Sequence, residues 1–202
     1  MIISHKYKYI FIKGFKVAGT SVEMYLEKFV GKKDIIGARE DFSGMSRSEL
    51  PEYYNHMPLN LIKSKLPHKV WKEYFKFCIC RNPWDTAVSL YCFNSKRMPN
   101  KYKNFEDFIN KTQGSMIKFS SFYSPLKDVD FFIRFENLYP DLMNVCHKLG
   151  IPYEENLIPK AKTEFRNRSK HYSSYYNEKT KKMIENECAE DIKYFGYKFE
   201  SG

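Results

Sequence analysis

The sequence predicts an α/β protein, a single three-layer domain over residues 1–202 in which a mainly parallel sheet is flanked by helices. Three observations predict this class. Short apolar segments alternate with segments of helical periodicity, turn and capping residues stand between them, and no linker or low-complexity tract divides the chain. A chain of 202 residues can bury a sizeable core within one domain.

The first strand and helix are the best defined. Residues 8–13 are aromatic and β-branched, which predicts a buried strand. Residues 14–21 contain two glycines and read as a turn. Apolar residues then recur at helical spacing as far as Gly31, which predicts a helix that ends there.

The later elements are predicted from the same signals. In chain order they are a mainly irregular stretch over 34–58, a short helix over 59–66, a strand over 74–80, a helix over 105–113, a strand over 130–135, a helix over 138–149, a polar loop over 151–176 and a final helix between Asn177 and Gly196.

Residues 14–21 have the glycine spacing of a phosphate-binding loop, G-x-x-x-x-G. The amides from about Ala18 to Ser21 are expected to point towards an anion at the start of the helix. A nucleotide-kinase loop has lysine directly after its second glycine, where this chain has Thr20, and the lysine here is Lys16. The same spacing also occurs in ordinary strand–turn–helix connections.

A second candidate site lies where the strand over 74–80 ends. Asn82 is placed to cap a helix, Pro83 takes its first position and Asp85 the capping-box position, so Arg81 stands between strand and helix. Ligands bind at such strand ends in open α/β sheets. Arg81 could hold a phosphate through two hydrogen bonds and Ser89 add a third, although the segment also fits a simple capped helix start.

Composition narrows the class of protein. The chain has 34 Lys and Arg against 24 Asp and Glu, a formal charge of +10, which suits an anionic ligand, a nucleic acid or a basic surface. No apolar run approaches the roughly 18 residues of a membrane span, and lysines interrupt the start of the chain, unlike a signal peptide. The five cysteines do not have the spacing of zinc ligands, so we expect no zinc site. We expect them to be reduced thiols, as in a cytoplasmic protein.

Together, and in this order, the two motifs resemble the sulfotransferase superfamily that uses 3′-phosphoadenosine 5′-phosphosulfate (PAPS), in particular soluble microbial or viral members of the carbohydrate type, similar to sulfotransferase family 2. The resemblance rests on residues 16–21 (Lys-Val-Ala-Gly-Thr-Ser) and on residues 81–85 (Arg-Asn-Pro-Trp-Asp) with Ser89. Weaker pieces follow the family pattern at residues 55–57, 132–138, 168–176 and 191–197. Val17 stands where threonine is common, which removes a side-chain oxygen and leaves the backbone cradle.

The resemblance implies a function and a set of site residues. The expected reaction is the transfer of a sulfuryl group from PAPS to a hydroxyl of a carbohydrate or glycoconjugate, with an amine as the second choice of acceptor. No metal ion is expected to take part. The 5′-phosphosulfate would contact the loop residues Lys16, Val17, Ala18, Gly19, Thr20 and Ser21. The 3′-phosphate would contact Arg81 and Ser89, and Arg168 lies in a loop that closes over the nucleotide in relatives. Lys16 would stabilise the leaving group, and His56, with Glu52 as the alternative, would be the base.

Three other functions stay open. A P-loop kinase would need ATP and Mg²⁺. A nucleic-acid binder would gather its cations and aromatic residues into a stripe, whereas the lysines here are scattered, so no nucleic-acid partner is expected. A protein of the sulfotransferase fold could also bind nucleotide without catalysis.

Overall fold

The computed structural model describes residues 1–39, 49–114, 117–161, 165–166 and 170–202. Within these ranges the strands are β1 (Ile2–Ser4), β2 (Tyr9–Ile12), β3 (Ile35–Ile36), β4 (Phe75–Cys80) and β5 (Phe131–Arg134). The α-helices are α1 (Gly19–Leu26), α2 (Leu59–Lys65), α3 (His68–Glu73), α4 (Pro83–Arg97), α5 (Phe105–Thr112), α6 (Ser120–Tyr123), α7 (Leu138–Leu149), α8 (Glu178–Glu187) and α9 (Ala189–Phe195).

The described strands form one sheet in the order β3-β1-β2-β4-β5. β2 pairs in parallel with β4, and β4 pairs in parallel with β5. β1 is antiparallel to both of its neighbours, β2 and β3. Every strand of this sheet except β1 therefore points the same way, which confirms the predicted α/β class with a mainly parallel sheet.

The described chain forms two compact units, each made of two segments. The first unit consists of Met1–Cys80 and Ser121–Ala161, and the second of Arg81–Ser120 and Lys162–Gly202. The whole sheet belongs to the first unit. The single domain over residues 1–202 stays a prediction.

Both faces of the sheet in the first unit are buried, as is usual for parallel strands. On one face, alternate residues of paired strands pack against α1 and α7, and these buried side chains are Tyr9, Phe11, Val22, Tyr25, Leu26, Phe77, Ile79, Ile133, Leu142 and Val145. On the other face Lys76 of β4 donates to the carbonyl of Trp71 on α3. Burying each large apolar side chain stabilises the fold by about 1.5–3 kcal/mol.

The second unit has an aromatic core of its own. Its buried members are Trp84, Ala87, Val88, Leu90, Phe105, Phe108, Ile109, Ile117, Tyr172, Ile184 and Cys188. The start of α4 follows the sequence prediction, because Oδ1 of Asn82 accepts hydrogen bonds from the amides of Trp84 and Asp85, at 3.0 and 3.3 Å. Pro83 is the first helical residue.

Some elements differ from the sequence prediction. β1 and α3 were not predicted, and the single final helix is divided into α8 and α9 at Cys188. Residues at and after the break are held by tertiary contacts. The Cys188 side chain is fully buried, and the buried carboxylate of Asp191 on α9 accepts hydrogen bonds from the amides of Phe119 and Ser120. Burial raises the pKa of Asp191 above its usual value.

Candidate active site

The glycine loop connects β2 to α1 in the first unit. Lys16 and Ala18, neither of them glycine, have left-handed backbone conformations, with φ of 55° and 61°. Such conformations are costly for residues with a side chain and are concentrated at functional sites. The loop therefore has the strained backbone that is typical of a binding site.

Each glycine of the loop is required by a close neighbour. A Cβ atom on Gly14 would lie 1.9 Å from the phenol oxygen of Tyr123. A Cβ atom on Gly19 would lie 2.7 Å from Cγ of Lys13. The G-x-x-x-x-G spacing thus reflects tight packing on both sides of the loop.

The start of α1 shows which amides the loop can offer to an anion. The Ala18 carbonyl accepts hydrogen bonds from the amides of Ser21 and Val22, at 3.0 and 3.3 Å. The Ser21 amide, the last of the predicted set from Ala18 to Ser21, is therefore already engaged in a hydrogen bond. Gly19 and Thr20, the first two residues of α1, have no helix carbonyl one turn before them, so their amides suit an anion.

Ser21 has a structural contact that its sequence position did not indicate. Its hydroxyl accepts a hydrogen bond from the Ala161 amide at 3.1 Å, and the residue is buried. Because this hydroxyl still carries a proton, it can donate to a ligand. Lys16 and Thr20 are half-buried, and Val17 is buried.

An ion cluster around Glu23 connects Lys13, which precedes the loop, with helix α1. Glu23 on α1 is fully buried, and its carboxylate binds the ammonium of Lys13 at 2.7 Å, the α-ammonium of Met1 at 2.5 Å and Nε of Arg39 at 3.1 Å. Burial by itself would raise the pKa of Glu23, but the Met1 and Lys13 cations outweigh it and hold the pKa below 4.5. The sequence reasoning missed this cluster, although a lysine ending an apolar strand and a glutamate on an apolar helix face were visible signals.

His56 lies beside the loop. Its Nδ1 is 3.2 Å from the backbone oxygen of Lys13, and its ring stacks on Phe15 with 4.0 Å between centroids and 17° between planes. Since a carbonyl oxygen can only accept, Nδ1 carries the proton and Nε2 is the basic nitrogen of the neutral ring. Glu52, the alternative base, is exposed.

In the second unit, Arg81 and Arg166 share one carboxylate. Nε and Nη2 of Arg81 each lie 2.7 Å from Oδ2 of Asp85, and Nη1 of Arg166 lies 2.5 Å from Oδ1. Burial would raise the pKa of Asp85, but the two guanidinium groups lower it below its usual value. The sequence motifs gave no indication of Arg166 at this position. Ser89 is half-buried one helical turn beyond Asp85, and Arg168 lies outside the described residues.

In the part of the chain that the structure describes, no group of three or more His, Cys, Asp or Glu residues could hold a metal ion. Among the same residues, no helix has the length and apolar character needed to cross a bilayer.

The fold is that of an α/β protein in which a glycine-containing loop follows β2, the first strand of the parallel part of the described sheet. The model of the sulfotransferase family matches residues 1–198, and the chain belongs to this family.

Similar known proteins include one relative from an archaeon and one solved structure. An uncharacterized protein of Archaeoglobus fulgidus is 31% identical over 103 residues, which are 48% of this chain and 86% of that protein. The crystal structure of mouse sulfotransferase SULT7A1 complexed with PAP matches with a TM-score of 0.54 and 15% identity, over 94% of this chain and 86% of that one. The structural match supports the sulfotransferase fold.

Proposed function

We propose that this protein transfers a sulfuryl group from PAPS to a hydroxyl of a carbohydrate or glycoconjugate. One observation carries the proposal: the ring of His56 stacks on Phe15, the neighbour of Lys16. A potential base therefore contacts the loop that contains Lys16, in a chain of the sulfotransferase family. The structural neighbour was solved with PAP, which supports a donor of the PAPS type.

The loop suits the phosphosulfate part of this donor. The amides of Gly19 and Thr20 begin α1, where backbone dipoles favour an anion, and the Ser21 hydroxyl can add a hydrogen bond. Lys16, which belongs to the same loop, would supply a positive charge. In the proposed step the acceptor oxygen forms a bond to sulfur while the bond from sulfur to the bridging phosphate oxygen breaks. The leaving group, 3′-phosphoadenosine 5′-phosphate (PAP), departs with that electron pair. Lys16 and the amides stabilise the negative charge that develops on it.

His56 takes the acceptor proton in the proposed mechanism. Nδ1 donates to the Lys13 carbonyl, so Nε2 has the lone pair that a general base needs. The acceptor hydroxyl loses its proton to Nε2 as its oxygen bonds to sulfur, so atoms and charge balance with no further reactant. Sulfuryl transfer in this form needs positioning and charge stabilisation more than covalent catalysis by the protein.

For the second unit, we propose that Arg81 and Ser89 bind the 3′-phosphate of the donor and that Arg168 contacts the nucleotide. The Asp85 carboxylate holds the guanidinium of Arg81 in a defined orientation, which supports a role in recognising a phosphate.

We also propose that the protein acts in the cytoplasm.

The test is a transfer assay with radiolabelled PAPS and a panel of carbohydrate acceptors. We expect labelled product with the wild type and none with Lys16→Ala, because that variant loses the cation at the leaving group. Lys32→Ala, which removes an exposed lysine after α1, is the matched control and should retain full activity. Full activity of Lys16→Ala would refute the leaving-group role.

A ligand panel separates the proposed function from the other classes. PAP should raise the melting temperature of the protein, whereas ATP with Mg²⁺ and a single-stranded oligonucleotide should not. Stabilisation by ATP with Mg²⁺ alone would instead support a kinase. Stabilisation by PAP with no transfer to any acceptor would support a nucleotide-binding protein without catalysis.

A further inference from the structure

Phe15 makes a contact for which donor binding gives no reason. We propose that Phe15 is a positioning residue for the base: it holds the His56 ring in its reactive orientation and favours its protonated form during transfer. This inference rests on the proposed function, because it assigns Phe15 a part in the same reaction. Phe15 has no polar group for the donor, and its ring faces His56.

Two contacts together determine how the His56 ring lies. The stack on Phe15, with centroids 4.0 Å apart and planes 17° from parallel, sets the plane of the imidazole. The hydrogen bond from Nδ1 to the Lys13 carbonyl sets its rotation within that plane. Both partners belong to the segment that enters the loop, so the base is oriented relative to the loop itself.

The backbone of His56 indicates that this placement has a cost. His56 has a φ of 58°, a left-handed conformation that is unfavourable for a residue with a side chain. Such a conformation persists where surrounding contacts determine it. The stack and the hydrogen bond are two such contacts.

The same two contacts favour the protonated ring. When Nε2 takes the acceptor proton, the imidazole becomes a cation lying against the face of Phe15, which attracts positive charge. The hydrogen bond from Nδ1 to the Lys13 carbonyl strengthens when its donor is charged. Because the ring gains this charge as the sulfuryl group moves, Phe15 should act mainly on kcat and little on donor binding.

The experiment compares Phe15→Leu with Phe15→Tyr in the full chain. Losing the aromatic face should lower kcat about 2- to 30-fold, the range of a cation–π contact, with the KM for PAPS and the affinity for PAP unchanged. Phe15→Tyr keeps a stacking ring and should restore kcat. Phe29→Leu is the matched control, since Phe29 packs edge-on to Tyr25, and its kcat should equal that of the wild type.

Two results would overturn the inference. One is an unchanged kcat in Phe15→Leu, and the other is a loss of PAP affinity as large as the loss of kcat, which would make Phe15 a support of the loop alone.

Imidazole nitrogen NMR gives a readout that does not need an acceptor. Wild type should show His56 protonated at Nδ1, and Phe15→Leu should show mixed tautomers. An absence of transfer in the wild type together with this NMR result would count against the proposed function and leave the positioning of His56 by Phe15 intact.

Discussion

The phenol hydroxyl of Tyr123 lies so close to Gly14 that a Cβ atom there would be 1.9 Å from it. Tyr123 is fully buried, and burial holds its pKa well above 10. The neutral hydroxyl therefore packs against the start of the loop and restricts where its backbone can run.

Gly14→Ala should displace the loop and lower the free energy of unfolding by about 1–3 kcal/mol, the usual cost of overpacking. Urea unfolding measures the loss. In the double variant Gly14→Ala/Tyr123→Phe the oxygen is absent but the ring carbon that carried it, 2.9 Å from the new Cβ, is still there, so part of the loss should return. No recovery in the double variant would show that the hydroxyl is not the obstacle.

Glu23→Gln should be strongly destabilising, because it leaves the buried ammonium of Lys13 without its counter-charge. We expect a loss of about 3–5 kcal/mol in the free energy of unfolding at neutral pH. Glu178→Gln, which changes an exposed glutamate at the start of α8, should unfold like the wild type. Equal stability of both variants would contradict the role of the ion cluster.

The pH dependence of this effect follows from the direction of the pKa. The pKa of Glu23 lies below 4.5 in the folded protein, so its contribution is complete above the unfolded value and is lost as the pH falls through the folded value. The stability difference between wild type and Glu23→Gln should therefore shrink below pH 4.5. A difference that stays constant in acid would show that the charge of Glu23 is not what stabilises the fold.

His56→Ala should remove the acidic limb of the pH–rate profile while PAP binding is retained. The reason is that His56 must be neutral to accept a proton, so protonation in acid slows the wild type and has no counterpart in the variant. Steady-state rates across pH, with calorimetry of PAP, provide the measurement. An acidic limb that persists in His56→Ala would transfer the role of base to another group, and Glu52→Gln then becomes the variant to examine.

Arg81→Ala should weaken PAP binding at least about tenfold, because hydrogen bonds between a guanidinium and a phosphate are charge-assisted. Arg97→Ala, which removes an exposed arginine at the end of α4, is the control and should bind PAP normally. Calorimetry decides between the two outcomes. An unchanged affinity in Arg81→Ala would place the 3′-phosphate elsewhere.

The elements that the sequence predicted well carry local signals. Helix α7 runs over the predicted residues Leu138–Leu149 and ends at Gly150, whose φ of 68° suits glycine. The capped start of α4 at Asn82 was likewise predicted from neighbouring residues. By contrast, β1 has only three residues and exists because it pairs with strands on both sides.

The loop and His56 could be predicted from sequence, but their relationship could not. His56 contacts a backbone carbonyl 43 residues earlier in the chain, and a carbonyl has no signature in a sequence. The stack on Phe15 is similarly invisible, since either ring could have belonged to the core. The partners of Glu23 come from three separate segments, which only the folded chain brings together.

The sheet belongs to a unit whose two segments are separated along the chain by residues 81–120. A nascent chain therefore presents β4, the apolar segment Phe-Lys-Phe-Cys-Ile-Cys, as an open edge until β5 has left the ribosome. A fragment that ends at Ser120 would keep that edge permanently exposed and should self-associate through it. The order of these segments thus makes β5 the strand that covers the hydrogen-bonding edge of β4.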